Sequence, residues 1–278
     1  MKTDKRIKKE NRTPKALVFA ARNVKETVRE PLLYVFCLVF PIAMLVMFQV
    51  IDKFSSAKIS TFEPRSLVPG VMTFSFTFVM LVLSLLVSKD KSTALLKRLY
   101  SSPMKAADYV IGYALPCVGI GVCQAFACVG SGAALAAICG YSYFNFAEAL
   151  LLVVTQLPLL LVCVFLGILI GATLNEKAAP GITSVFITAS GVLGGAWMPL
   201  DTMGKFETFC RCLPFYPSVY WGRIVTGAVH TVPDAAGNAI PYAFDLTAKL
   251  GFIPVAIFLV ASTALAFVAF AKQMKNDD

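Results

Sequence analysis

LVPGVMTFSFTFVMLVLSLLVS, residues 67–88, contains no Asp, Glu, Lys, Arg or His. A helix rises 1.5 Å per residue and needs roughly 20 apolar residues to cross a hydrocarbon core, so this run reads as a membrane span. Five further stretches share the property, at 31–51, 109–139, 150–174, 181–197 and 252–271, and of these 181–197 is only just long enough. The expected fold class is therefore all-α integral membrane, with six transmembrane helices. Composition agrees. Hydrophobic residues make up 58% of the chain, charged residues 15%, and mean hydropathy is +0.74, whereas a soluble domain has about 25% charged residues.

The missing charges also restrict function. A proton- or ion-coupled carrier keeps an ionisable group inside the bilayer despite its insertion cost, and these six stretches offer none, so the membrane interior is expected to be electrically silent. An intramembrane enzyme would need a nucleophile with a base, or a metal set. The only histidine is His230, in a loop, and no His-Glu-x-x-His run occurs. The chain also lacks a Gly-x-x-x-x-Gly-Lys-Ser/Thr phosphate loop, so energy for uphill transport is expected from a partner. A secondary transporter or channel not coupled to ATP is the alternative, weakened by the absence of buried charge and of visible doubling between the halves.

The +9 net charge is not spread as a nucleic-acid surface would be. Lys2, Lys5, Arg6, Lys8, Lys9, Arg12, Lys15, Arg22, Lys25 and Arg29 all precede the first span, which places the amino terminus in the cytosol. Alternating sides from there puts Lys89, Lys91, Lys97, Arg98 and Lys105 inside and the uncharged-by-base loop 140–149 outside, and returns Lys272 and Lys275 to the cytosol. Lys53, Lys58 and Arg65 form a mild exception. The opening segment is polar and basic, unlike a cleaved signal peptide, so the first span is expected to remain. Cys37, Cys117, Cys123, Cys128, Cys139 and Cys163 read as small apolar filler. Cys210 and Cys212 are too close for a comfortable mutual disulfide and read as packing residues or intermolecular pairing sites.

Two regions flank or interrupt the spans. Thr13-Pro14 starts a helix on which Leu17, Ala21, Val24 and Val28 share one side while Lys15, Arg22, Lys25, Glu26 and Arg29 occupy others. Residues 1–30 are thus a cytosolic tail and interfacial helix, and 31–278 a six-span domain. Within 199–230, Phe206, Phe209, Cys210 and Leu213 recur at helical spacing and Tyr216, Tyr220 and Trp221 supply interfacial rings, which predicts outer re-entrant helices. Pro41 and Pro158 predict bends inside spans. The pairs Gly167/Gly171 and Gly191/Gly195 offer close helix packing, within the chain or between copies.

Two stretches carry a family resemblance. Leu67-Val-Pro-Gly70, then Lys91-Ser-Thr-Ala-Leu-Leu-Lys-Arg-Leu-Tyr-Ser-Ser-Pro103 and Tyr109-Val-Ile-Gly112, resemble the permease subunits of ATP-binding-cassette exporters of the type-2 class. Lys91 and Ser92 stand where that family often has an acidic residue and a glycine, which leaves Thr93, Leu95, Leu99, Pro103 and Gly112 as the matching positions. Gly194-Gly-Ala-Trp-Met-Pro199, Leu213-Pro214 and Gly222-Arg223 are similar to the family's outer gate region.

The resemblance implies a dimer with a second permease copy or homologous permease, each resting on a separate cytosolic ABC ATPase. ATP and Mg would be held by that ATPase, and this chain would bind no cofactor. It further implies an ATPase-coupling helix within 89–105, carried by Ser92, Thr93, Leu95, Leu96, Lys97, Arg98, Leu99 and Pro103. Apolar Leu95, Leu96 and Leu99 would press into a groove while Lys97 and Arg98 meet an acidic rim. The first, second and fifth spans would line the substrate path, with Phe40, Met44, Phe48, Phe74, Phe78, Thr183 and Ser184 as its candidates. Trp197, Met198, Pro199, Phe206 and Phe209 would form the outer gate. Such a wall suits an amphiphilic or lipid-like cargo (drug, peptide, lipid or lipid-linked glycan), and the family points to a bacterial inner (plasma) membrane with both termini cytosolic.

Overall fold

The computed structural model describes residues 15–55, 60–93, 104–243 and 251–276. Among them the regular structure is helical, and strand pairing is confined to one bridge between Val229 and Pro241. The helices are α1 (Lys15–Arg29), α2 (Pro31–Tyr34), α3 (Phe40–Phe54), α4 (Pro64–Ser92), α5 (Ala106–Cys139), α6 (Phe146–Thr173), α7 (Ala179–Leu193), α8 (Lys205–Cys210), α9 (Phe215–Val225) and α10 (Ile253–Asn276). Five segments are long and apolar enough to cross a membrane: Val35–Phe54, Pro64–Ser92, Ala106–Cys139, Phe146–Thr173 and Ile253–Met274.

The first of these joins α2 to α3 through a π-helical turn, Val35–Val39, in which the Phe40 N–H reaches back to the Val35 carbonyl. Pro41 follows directly and has no N–H to give, so the widened turn takes up the irregularity without ending the helix. Pro116 and Pro158 likewise lie inside α5 and α6, which continue past them. The prolines do not break the spans.

The quoted stretch forms the centre of the bundle. Almost the whole of α4 is buried, whereas α3, α5, α6 and α10 each leave an apolar face uncovered. α4 packs against α3, α5, α6, α7 and α9. Its hydroxyls satisfy themselves along the helix, Ser75 Oγ donating to the Met72 carbonyl at 2.8 Å and Ser84 Oγ to that of Leu81 at 2.9 Å. Gly167 and Gly171 let α6 lie directly on α4. A Cβ at Gly167 would come within 2.8 Å of the Met80 carbonyl oxygen, and one at Gly171 within 2.7 Å of that of Ser84. This glycine pair is used inside the chain.

The fifth expected span, 181–197, is shorter than its apolar run. α7 has 15 residues, about 22 Å of helix against a core of about 30 Å. It stops because Gly195, at φ +64°, takes the left-handed conformation, its N–H reaching the Val192 carbonyl at 3.2 Å and the Ala196 N–H that of Gly191 at 3.2 Å. That Schellman pattern turns residues 194–197 back along the helix. Gly191 and Gly195 therefore make a turn, with a Cβ at Gly191 falling 2.4 Å from the Trp197 ring.

α1 lies at one end of the bundle, here called basal; the 194–243 segment covers the other, apical, end. Ala16, Phe19, Ala20, Asn23 and Thr27 are the face that α1 buries, mainly on α5. Phe19 meets Tyr113 edge-on at 4.9 Å and sits where a Cβ on Gly112 would be, and Asn23 Nδ2 donates to the Gly112 carbonyl at 3.0 Å. The stripe expected from the sequence, Leu17, Val24 and Val28, is a second apolar face left uncovered. A helix with one apolar face on protein and another exposed beside lipid-facing spans suits a membrane interface.

Candidate functional site

Folding gathers the aromatic candidates of the first span and α4 into one seam. Phe36 stacks on Phe78 at 5.4 Å, Phe40 meets Phe78 at 5.1 Å and Phe74 at 6.0 Å, and Phe74 crosses Phe78 at 5.2 Å. Toward the apical end Trp197 completes it, 4.9 Å from Phe74 and 5.8 Å from Phe48. Met44 packs alongside. The two hydroxyl candidates part company. Thr183 is buried against α4, 3.2 Å from Ser84 Oγ, while Ser184 is exposed and donates to the Gly181 carbonyl. Thr183 thus packs helix on helix and Ser184 faces away from the seam.

The two apical motifs meet each other. A Cβ on Gly70 would stand 2.3 Å from the Ala196 carbonyl oxygen, so only glycine lets the 194–199 turn rest on α4. Met198 and Pro199 follow, and Leu200–Thr202 forms a 3-10 turn. Phe206 and Phe209, the other gate candidates, are exposed on α8 and do not join Trp197. α8 is fastened to α9 through Glu207, which accepts from Tyr216 Oη at 2.6 Å and Arg211 at 2.6 Å.

Arg223 of α9 is the residue that assembles this end. It is 1% exposed and donates to the Ser66 carbonyl at 3.3 Å, the Gly195 carbonyl at 2.8 Å and Tyr242 Oη at 3.4 Å. Tyr242 Oη donates onward to Asp201 Oδ2 at 2.7 Å, and His230 Nδ1 lies 3.0 Å from the same oxygen, its ring stacked 3.7 Å from Tyr242. Burial by itself would push the Asp201 carboxyl up. The hydrogen bonds from His230 and Tyr242, with the nearby Arg223 charge, outweigh it and hold the group at about 2. Burial and the Asp201 charge drive the Tyr242 hydroxyl upward. Arg65, an exception to the charge pattern, donates to the Tyr143 and Thr226 carbonyls and ties the start of α4 to the end of α9.

At the basal end the end of α4 is fixed by Asp90, 2% exposed. Arg22 of α1 grips it through both nitrogens, at 2.6 and 2.9 Å, and Tyr113 Oη donates to it at 2.7 Å. The hydrogen bond to Asp90 holds the Arg22 guanidinium above its usual range. Lys89 pairs with Glu30 at 3.0 Å, Lys91 donates to the Ala172 carbonyl at 2.8 Å, and Ser92 Oγ reaches Glu176 at 3.0 Å. Ser92 closes α4 and Thr93 caps it, its N–H and hydroxyl both on the Lys89 carbonyl. The remaining coupling candidates, Leu95, Leu96, Lys97, Arg98, Leu99 and Pro103, lie outside the described residues.

The expectation of an electrically silent interior needs correction at its edges. The six apolar runs hold no charge, yet Asp52, Asp90 and Arg223 are buried. Asp52 and Asp90 sit just beyond the ends of their runs, where Tyr141 and Arg22 meet them. Arg223 is carried in because α9 folds back against α4 and α6. The sequence signals are the Gly222-Arg223 pair and the acid at 90, one residue before Lys91, where the family often carries an acid. No curated protein matches the chain. The family model for ABC-2 type transporters matches residues 15–226 of 278, and the chain belongs to that family, as a membrane-spanning permease subunit of an ABC transporter.

Proposed function

We propose that this permease moves an amphiphilic or lipid-like substrate outward, powered by ATP hydrolysis on a separate ABC ATPase bound at the basal end. A second permease, identical or homologous, completes the path. On this reading α1 and both termini are cytosolic, α7 with its apical turn is the fifth of six spans, α8 and α9 re-enter the outer leaflet, and the membrane is a bacterial inner membrane. The observation that carries the reading is the aromatic seam, which runs from Phe36 to Trp197 without an ionisable member. Such a wall gives an apolar solute dispersion contacts and gives a hydrated ion nothing to replace its water.

The ATPase supplies the chemistry, with ATP and Mg on its side of the contact. This chain's part is mechanical. The 89–105 segment receives the motion, Asp90 and its partners pass it to α4, and α4 passes it to the apical turn seated on Gly70. The test is reconstitution with the ATPase found to co-purify. ATP-dependent extrusion of a fluorescent amphiphile is expected, and replacement of residues 95–99 by Gly and Ser should leave hydrolysis but abolish extrusion. Transport by the lone chain down an ion gradient would instead identify a secondary carrier.

A further inference from the structure

α1, the first span and α5 enclose a cleft of about 660 Å³. Leu17, Val24 and Val28 line it from α1, Leu33 and Leu38 from the first span, and Leu115 to Gln124 from α5. That part of α5 is about 14 Å long, and the volume is in the range of small-molecule sites. Apart from Tyr34 and Gln124, the lining is aliphatic or thiol, and Gln124, with its Nε2 on the Ser75 carbonyl, ends the apolar run. Gly119 faces open space, for nothing lies within 4 Å of where its Cβ would be.

Charge lies on the adjoining flank of the same helix. At about 100° per residue, Lys25 follows Ala21 by about 40° around α1 and Arg29 follows Lys25 by as much again. Both line a second, open recess that shares Ala21 with the cleft. The acids beside them are engaged, Glu26 by Arg22 and Glu30 by Lys89. Lys25 and Arg29 are exposed and have no carboxylate partner among the described residues.

We infer that the cleft between α1, the first span and α5 holds an acyl chain of an anionic phospholipid, whose phosphate is bound by Lys25 and Arg29. The occupant follows from the pairing of an aliphatic slot open to the membrane with two uncompensated cations on its rim, the two halves of such a lipid. The lipid would cover the apolar face of α1 that the protein leaves bare, and so hold Arg22 on Asp90. The inference does not rest on ATP-driven transport, and its test requires no ATPase.

Native mass spectrometry of the purified full chain, titrated with phosphatidylglycerol and with phosphatidylcholine of the same chains, measures it. One retained phosphatidylglycerol is expected, bound about twenty-fivefold more tightly than phosphatidylcholine, and Lys25→Gln with Arg29→Gln should erase that preference, at about fivefold for each cation. Gly119→Phe should remove the retained copy by filling the slot, with Val28→Trp doing so from the α1 side should the first variant not fold. Equal retention of the two lipids by the unaltered chain, or an undiminished copy in the folded slot-filling variant, would overturn the inference. Competition by glycerol phosphate as effective as by the whole lipid would also overturn it, since the slot would then contribute nothing.

Discussion

Each end of α4 is pinned by one buried charge, and the two pins are built differently. At the basal end Asp90 is held by a single ion pair, one side of which is open to water: the Arg22 side chain is 36% exposed and that of Asp90 3%. At the apical end Arg223 is wholly enclosed and divides its donors among α4, the 194–199 turn and the segment entering α10. The Arg22–Asp90 pair can be undone by moving one helix, α1, which leaves Asp90 on Tyr113 of α5. The apical pin cannot open without releasing several segments at once. On the proposed drive from the basal face, this asymmetry lets α1 loosen one contact there while the apical turn stays seated through several.

The largest expected effect is at Arg223. Arg223→Met keeps the volume but strands the Gly195 carbonyl, takes a second donor from that of Ser66 and leaves Asp201 without its neighbouring cation. Each orphaned group costs about 1–3 kcal/mol, so a loss of about 3 kcal/mol or more is expected in detergent-solubilised thermal unfolding. A variant as stable as the parent would show that the apical pin is not a pin. Gly70→Ala comes next. Its Cβ would meet backbone, the Ala196 carbonyl at 2.3 Å, which cannot rotate away as a side chain can. About 1–3 kcal/mol is expected from such overpacking, together with increased protease cleavage near 194–203. Gly119→Ala, facing open space, is the internal control and should change stability by less than about 1 kcal/mol.

The basal pin should give less. In a double-mutant cycle of Asp90→Asn and Arg22→Gln, the coupling is expected at about 1–2 kcal/mol, below the several kcal/mol of a dry ion pair because water reaches Arg22. The distinguishing readout is local. Hydrogen exchange in α1 should rise while that in α9 stays unchanged. Exchange rising equally at both ends would mean that α4 transmits the loss along its length and that the ends are not independent.

How much of this was legible depends on what kind of signal each feature leaves. The central helix announced itself because burial on every side demands a continuous apolar run, and 67–88 is such a run. The other spans were equally visible, yet α7 was read too long. Hydropathy measures the run and is blind to the left-handed turn at Gly195 that folds 194–197 back. On α1 the periodicity of Leu17, Ala21, Val24 and Val28 was real but marks the face left uncovered; the bundle face uses the small and polar Ala16, Ala20, Asn23 and Thr27, which carry little hydrophobic signal. The seam residues could be nominated from the sequence, since aromatic side chains on two spans are easily seen, though Thr183 and Ser184 could not be told apart. Asp90, Asp201 and Tyr242 were missed, and Arg223, part of the outer-gate resemblance, was not foreseen as buried, for a common reason. Their partners lie 19 to 157 residues away in the chain, and a charge between apolar runs looks the same whether it will face water or be enclosed.

The smallest effect separates the two ends by pH. Asp201 is held at about 2, below the ordinary carboxylate value of 3.8, with His230 and Tyr242 as its partners. Because the folded value is depressed, its contribution is fully present above about pH 4 and is lost as the pH falls from there through about 2. The size is at most about 2 kcal/mol, and partial exposure of His230 reduces it. Acid should therefore loosen the apical end first: between pH 4 and pH 2.5, exchange in 199–202 and 228–242 is expected to rise while α10 remains protected. Asp201→Asn should start out less stable and lose this acid dependence. If the variant kept the same acid limb, another carboxylate would be the group titrating, and the line from Arg223 through Tyr242 to Asp201 would end one residue sooner than the geometry draws it.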